Sequence, residues 1–167
     1  MNKCVFLDRD GVINKDHFDY TYSLDRFKIL PGVPEAITKI RAAGFKIVVI
    51  TNQSGISQSI YTRFQMQECH DFMQEKLNYE IDKIYYAPWH SSVSESLSRK
   101  PSTLMFERAI SRFDVDVSQS WMIGDKARDI TPAKKMGLQT IQVGGDDDGG
   151  ADFVSTDLLS AIEFIIP

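Results

Sequence analysis

A chain of 167 residues, 43% hydrophobic and 25% charged, has the composition of one globular domain with room for a sizeable core. Its net charge of -4 offers no basic field to a nucleic-acid backbone, and no run approaches the ~18–20 apolar residues of a membrane span. Cys4 and Cys69 form no paired motif and read as thiols of a reducing compartment, and the apolar run after Met1-Asn2-Lys3 is too short for a signal peptide; the expectation is a single cytoplasmic domain over 1–167.

Val5 to Leu7 is the first predicted strand, an apolar run of the kind covered on both faces. It leads into Asp8-Arg9-Asp10-Gly11. Two carboxylates this close repel, and burial raises the cost of ionising either, so a compensating positive charge is required. After a polar, aromatic-rich stretch (17–27), Pro31-Gly32 opens a helix with Val33, Ile37 and Ile40 on one stripe and Gly44 at its C-cap. Phe45 to Ile50 reads as a second strand, followed by Thr51-Asn52-Gln53-Ser54-Gly55. Thr62 with Gln65 has capping-box spacing and predicts a helix to about Leu77. Ile81 to Ala87 is the third strand, and 88–100 is a serine-rich loop closing on Arg99-Lys100.

Pro101-Ser102 starts a helix carrying Phe106, Ile110 and Phe113 on one side. Trp121-Met122-Ile123 is the fourth strand, stopped by Gly124-Asp125; a short helix ends near Gly137, Gln139 to Val143 is the fifth strand, and 158–166 is predicted helical. Strands alternating with helices predict right-handed crossovers and a three-layer α/β/α sandwich on a mostly parallel sheet. Seven residues between Ser54 and Thr62 leave little room for a large cap domain. The Gly144–Gly150 run lacks the ligand spacing of a calcium loop and reads as a solvated turn.

Ligands of such sheets bind beyond the carboxyl ends of the strands. Those ends carry Asp8 and Asp10, Thr51 to Ser54, and Asp125 with Lys126 and Asp129, while Arg99-Lys100 closes a neighbouring loop. Each alone is ordinary, since an Asp after a strand often caps a turn and a loop Lys is usually solvated. Together they place hard oxygen donors without His or Cys at one edge, which suits Mg²⁺. That ion is read as the missing positive charge.

The ordered set "FLDRDGVIN", "VITNQSGI", "RKP" and "MIGDKARD", with "ILPGV" before the first long helix, resembles the haloacid dehalogenase superfamily. The branch it is similar to holds heptose bisphosphate and histidinol-phosphate phosphatases, and the likeness spans residues 4 to about 143. The resemblance implies that Asp8 attacks phosphorus to form an aspartyl-phosphate, with Asp10 as general acid and then base. It implies that Thr51, Asn52, Gln53 and Lys100 hold the phosphoryl group, that Arg99 grips substrate, and that Asp8, Asp10 (through its backbone carbonyl) and Asp125 bind Mg²⁺. Asp129 is implied to support the site, as a partner of Lys126.

Members of that branch hold zinc through CxH and CxC before RKP. Here Ala87, Trp89, Ser96 and Ser98 stand at those places, so no structural zinc is expected, and the loop is expected to be anchored by Trp89 or mobile until substrate binds. Gln58-Ser59 also replaces the Arg-Gly that follows SGIA in the branch. Tyr20, Tyr22, Tyr85, Tyr86 and Trp89 read either as a sugar-facing wall or as core and rim.

The resemblance implies a Mg²⁺-dependent phosphomonoesterase for a small metabolite, with D-glycero-D-manno-heptose 1,7-bisphosphate (7-phosphate removed) first and histidinol phosphate second; a monomer is expected. A polynucleotide-end phosphatase shares the chemistry but not the charge. A receiver-type signalling domain also combines acids, Thr and Lys around Mg²⁺, yet its phosphorylated Asp follows strand three, which here ends in Ala87-Pro88. A catalytically silent relative is the remaining reading, opposed by the filled chemical positions.

Overall fold

Cys4–Leu7 (β1), buried at every position, sits in the middle of a six-stranded sheet ordered β3-β2-β1-β4-β5-β6, in which every paired neighbour is parallel. The computed structural model describes residues 1–145 and 149–166; Asp146 to Asp148, in the stretch read as a solvated turn, lie outside them. The other strands are β2 (Lys46–Asn52), β3 (Lys83–Ala87), β4 (Trp121–Gly124), β5 (Gln139–Val143) and β6 (Phe153–Ser155).

The helices are α1 (Val33–Ala42), α2 (Arg63–Lys76), α3 (Leu104–Phe113), α4 (Ala127–Lys135) and α5 (Leu158–Ala161). Alternate residues of each strand face opposite layers. Val5, Leu7, Ile47 and Val49 pack with Ile37 and Ile40 of α1, Met73 of α2 and Leu158 of α5. Cys4, Phe6, Val48 and Ile50 pack with Phe106 of α3 and Ala133 of α4 on the other side. Strands covered on both faces are continuous apolar runs for this reason.

Several elements differ from expectation, β2 among them, which runs Lys46–Asn52 rather than Phe45 to Ile50. β3 begins at Lys83 rather than Ile81, because the Asp82 carboxylate accepts the Ile47 N–H at 2.9 Å where a strand carbonyl would sit. α3 begins at Leu104, since Pro101 to Thr103 continue a turn in which Ser102 N donates to Arg99 O at 2.8 Å. β6 has no counterpart among the predicted strands. It is short and partly exposed, and its register is set by Asp152, whose carboxylate accepts from Thr140 N at 2.9 Å and Thr140 Oγ1 at 2.7 Å. The tail is split into α5 and a 3₁₀ turn over Ile162–Phe164. The predicted capping box is present, with Thr62 and Gln65 exchanging hydrogen bonds.

From β1 the chain adds β2 and β3 on one side, then crosses to put β4 and β5 on the other. The crevice between the carboxyl ends of β1 and β4 is therefore the switch point where ligands of open α/β sheets bind. Asp8 and Asp125 are the first residues beyond those two ends. Among the described residues no helix is long and apolar enough to cross a membrane.

Candidate active site

Asp8 continues the ladder through its N–H to Ile123 O at 3.0 Å, which aims its side chain into the crevice. Its Oδ1 lies 2.9 Å from Lys100 Nζ and accepts the Arg9 N–H at 2.8 Å. Lys100 also stands 2.6 Å from Asp129 Oδ1 and donates to Ile50 O at 2.7 Å, fully buried among these groups. Burial, then the field of Asp129, push the Asp8 carboxyl up to about 6 against the pull of Lys100. For Lys100 burial acts downward, but the two carboxylates outweigh it and hold the ammonium above its usual value.

Asp10 points elsewhere. Its Oδ1 accepts from Arg9 Nη2 at 3.0 Å and Asn14 Nδ2 at 2.9 Å, and its Oδ2 from Arg9 Nε and Gln53 Nε2, both at 3.1 Å. Burial acts to raise this carboxyl, but the Arg9 charge and its hydrogen bonds prevail and hold it below the usual range. The charge that answers the Asp8–Asp10 repulsion is therefore not a metal alone: Arg9 answers Asp10 and Lys100 answers Asp8. Arg9 was given no role in the sequence reading. Its buried guanidinium also donates to Thr21 O at 2.7 Å and lies over the Phe27 ring at 5.4 Å, and its position between two Asp residues is the signal that could have revealed it.

At the end of β2, Gln53 turns inward. Its Nε2 also donates to Thr51 Oγ1 at 2.9 Å and its Oε1 accepts from Tyr61 OH at 2.8 Å. This side chain, expected as a phosphate ligand, lines the site cavity and ties Thr51 to Asp10. Asn52 clamps the Lys100 main chain: Lys100 N donates to Asn52 Oδ1 at 3.0 Å and Asn52 Nδ2 donates to Lys100 O at 3.1 Å.

Asp125 follows β4, with Oδ2 3.0 Å from Lys126 Nζ and Oδ1 buried without a hydrogen-bond partner. Burial and then the Asp8 charge raise its carboxyl. Two glycines make room. A Cβ on Gly11, whose φ is +87°, would stand 2.5 Å from Asp125 Oδ2, and one on Gly124 would stand 2.3 Å from the Asp129 Cβ. Asp129 meets the Lys126 backbone N–H at 3.2 Å and the Lys100 ammonium, whereas the Lys126 side chain goes to Asp125; the expected Asp129–Lys126 side-chain pairing is replaced by these two.

One oxygen each of Asp8, Asp125 and Asp129 lie within 4.8 Å of one another. The orphaned Asp125 oxygen and the absence of soft donors in this set fit a hard divalent cation such as Mg²⁺. Asp129 is engaged by Lys100, and both oxygens of the Asp10 carboxylate are engaged by Arg9, Asn14 and Gln53. Asp8 and Asp125 are the side chains that could hold such an ion.

A cavity of about 320 Å³ opens beside these groups, lined by Asp10, Asn52, Gln53, His90, Arg99 and Arg128 among others. Tyr20 also lines it, while Tyr85, Tyr86 and Trp89 do not. A larger space of about 600 Å³ between α1 and α5 is remote from every group described above and offers no constellation for chemistry. The loop 88–98 is held by Ser57, whose N–H donates to Pro88 O at 3.1 Å and whose Oγ accepts the His90 N–H at 2.8 Å. Trp89 is 40% exposed and anchors the loop through its carbonyl, which accepts from Arg99 Nη1 at 3.3 Å, rather than through its ring.

A family model of haloacid dehalogenase-like hydrolases matches residues 3–137. The D-glycero-beta-D-manno-heptose-1,7-bisphosphate 7-phosphatase of Haemophilus ducreyi is 32% identical, over 98% of both chains. The D-glycero-D-manno-heptose-1,7-bisphosphate 7-phosphatase of Chlorobaculum tepidum is 39% identical over 84% of this chain and 78% of its own. The crystal structure of the B. bronchiseptica D,D-heptose 1,7-bisphosphate phosphatase, complexed with magnesium and phosphate, superimposes with a TM-score of 0.87 at 29% identity, covering 98% of this chain and 97% of that one.

Proposed function

This chain belongs to the haloacid dehalogenase-like hydrolase family, and on that premise we propose that it is a Mg²⁺-dependent phosphomonoesterase that removes the 7-phosphate of D-glycero-D-manno-heptose 1,7-bisphosphate. The observation that carries the chemistry is the placement of Asp8: a buried carboxylate at the switch point, beside a buried cation and an unpartnered Asp125 oxygen. The substrate rests on the relatives, which bear that activity in their names at 32–39% identity.

In this reading Asp8 attacks phosphorus in line, and Lys100 and the Thr51 hydroxyl stabilise the transferring group. Bound Mg²⁺, held by Asp8, Asp125 and the Asp10 carbonyl, supplies charge neutralisation. Asp10, ionised in the resting site, has no proton of its own to give. A phosphate monoester titrates near pH 6 and enters partly as the monoanion, so its proton can pass to Asp10 and on to the departing alkoxide. Ionised again, Asp10 takes a proton from the water that cleaves the aspartyl-phosphate. Free, buried Cys4 and Cys69 suit the cytoplasm, and a site built wholly from one domain suits a monomer.

The test is steady-state kinetics on the heptose bisphosphate, histidinol phosphate and nucleotides. The heptose bisphosphate is expected to have the highest kcat/KM, and a clear preference for histidinol phosphate would replace the substrate assignment. Chelation is expected to remove activity and added Mg²⁺ to restore it, with Ca²⁺ a poor substitute because its larger, more variable coordination misplaces the in-line geometry. Full turnover in protein shown by elemental analysis to be metal-free would refute the metal requirement.

Gln53→Leu removes the link between Asp10 and Thr51 while keeping bulk. We expect kcat to fall about tenfold to a hundredfold with KM little changed, as for a group that orients catalytic residues rather than binding substrate. A change in KM alone would contradict this.

The loop 88–98 is proposed to work without zinc, since Ala87, Trp89, Ser96 and Ser98 offer no ligand set; Ser96 and Ser98 instead share a hydroxyl contact at 2.8 Å. Elemental analysis is expected to find no stoichiometric zinc, and Ser57→Ala to increase proteolysis within the loop. One tightly held zinc per chain would show that other groups bind it.

A further inference from the structure

A glutamine amide has one end that donates and one that accepts, in nearly the same shape. Gln53 gives its two Nε2 hydrogens to Asp10 Oδ2 at 3.1 Å and Thr51 Oγ1 at 2.9 Å, and its Oε1 accepts from the Tyr61 hydroxyl at 2.8 Å. Rotating that amide by half a turn would exchange its ends and change what the site can do. Thr51 would turn its only proton onto Oε1 and lose the donor it offers the transferring phosphoryl group. Asp10, while carrying the proton bound for the leaving alkoxide, would meet an acceptor on the protein side. Its other partners cannot reverse in this way. Arg9 has no acceptor to present, and Asn14 is fixed by a second bond from Nδ2 to Lys15 O at 3.0 Å.

Tyr61 opposes the reversal. It is 4% exposed, and a reversed Gln53 would leave its proton without an acceptor among the described residues, which is costly for a buried donor. Burial pushes the phenol above its usual range, so the hydroxyl stays protonated. The ring is firmly seated. It stacks on Tyr22 with centroids 5.1 Å apart and 7° between planes, and Tyr20 meets it edge-on at 5.7 Å. A Cβ on Gly55 would stand 2.3 Å from Tyr61 Cε1, so the glycine makes room for the ring. The Tyr20 hydroxyl is itself taken by Gln58 Oε1 at 2.7 Å.

We propose that Tyr61 is a positioning residue that sets the hydrogen-bond polarity of the active site. Its hydroxyl holds Gln53 with the amide nitrogen toward Asp10 and Thr51, which leaves the Thr51 proton for the phosphoryl group and the Asp10 proton for the leaving oxygen. This rests on the phosphomonoesterase reading and extends it to a side chain outside the cavity lining.

Tyr61→Phe keeps the ring and removes only the hydroxyl. It is expected to lower kcat on the heptose bisphosphate about threefold to tenfold, with KM within about twofold. In Gln53→Leu, which has no amide to orient, adding Tyr61→Phe is expected to cost no further activity. Equal losses in both backgrounds, a loss confined to KM, or no loss in the wild-type background each overturn the proposal. A second arm needs no turnover. In Asp10→Asn the neutral amide stands in for the protonated carboxyl, and the Gln53 side-chain protons are followed by NMR in protein labelled with nitrogen-15 at glutamine. Adding Tyr61→Phe is expected to speed their exchange with solvent about tenfold, because the amide then samples both orientations. Exchange indifferent to the hydroxyl overturns the proposal. Faster exchange in a protein that cleaves no phosphate ester supports the role of Tyr61 and refutes the phosphatase reading alone.

Discussion

Asp8→Asn is expected to abolish phosphate release, by roughly 10⁴-fold or more as for other lost nucleophiles, while making the metal-free protein more stable at neutral pH. The first effect follows from removing the only oxygen positioned to attack beside Lys100 in this reading. The second follows from the electrostatics. The Asp8 carboxyl titrates near 6 in the folded protein and near 3.8 when unfolded, chiefly because of burial. A carboxyl raised on folding contributes stability that is fully present below its unfolded value and lost as pH rises through its folded one. Across pH 4 to 6.5 the ionised Asp8 therefore costs up to about 3 kcal/mol, and the asparagine does not pay it. In chelator, the melting midpoint of the variant should exceed wild type by several degrees at pH 7, with the gap closing toward pH 4. Mg²⁺ should raise the wild-type midpoint more at pH 7.5 than at pH 5, because the ion binds the ionised carboxylate, and should raise the variant less. Near-normal turnover in Asp8→Asn would dispose of the covalent mechanism. A variant less stable than wild type at pH 7 would show that Lys100 outweighs burial at this carboxylate.

Lys100→Met should be costly in both respects. The ammonium sits between Asp8 and Asp129, at 2.9 and 2.6 Å, with no exposure. Removing one member of a buried ionic cluster leaves the others uncompensated, at about 3–5 kcal/mol, which is on the order of 10 °C in melting midpoint for a chain of this size. Turnover should fall below detection, since the cation that faces the nucleophile is gone. The deficit in stability should shrink as pH falls, because a protonated Asp8 needs no cation. The pair Lys100→Met with Asp8→Asn should therefore be more stable than Lys100→Met alone, which thermal melts across pH 4 to 8 can check. Equal destabilisation at every pH would mean that lost packing rather than lost charge is responsible.

Much of this site was legible because the polar residues come at the ends of apolar runs. Val5 to Leu7 and Trp121 to Ile123 could hardly be anything but buried strands, and a parallel sheet must bring Asp8 and Asp125 to one edge. What linear reading missed is which cation serves which carboxylate. Arg9, adjacent to both Asp8 and Asp10, turns to Asp10 because its guanidinium is packed over Phe27 and tied to the Thr21 carbonyl, contacts supplied by the irregular stretch before α1. Lys126, adjacent to Asp125 in sequence, does pair with it, yet Asp129 reaches past it to Lys100. β6 escaped notice because a three-residue, partly exposed edge strand has too little alternation to register. The inward bonds of Gln53 were not legible, because a polar residue after a strand says nothing about whether its amide meets solvent or, as here, a buried tyrosine.

The Asn52 clamp on the Lys100 main chain separates two parts of the protein mechanically. Both amide hydrogen bonds fall on Lys100 itself, at the last residue of the serine-rich stretch, so the essential ammonium is referred to the end of β2 rather than to the loop that precedes it. Changes between Pro88 and Ser98 that leave the Asn52–Lys100 bonds intact are expected to leave the ammonium in place. The loop that borders the substrate cavity can therefore be rewritten without moving the charge that the chemistry depends on. A change of substrate in this lineage would need no renegotiation with the catalytic centre, and laboratory grafts of foreign loops should succeed so long as Asn52 and Lys100 are kept together.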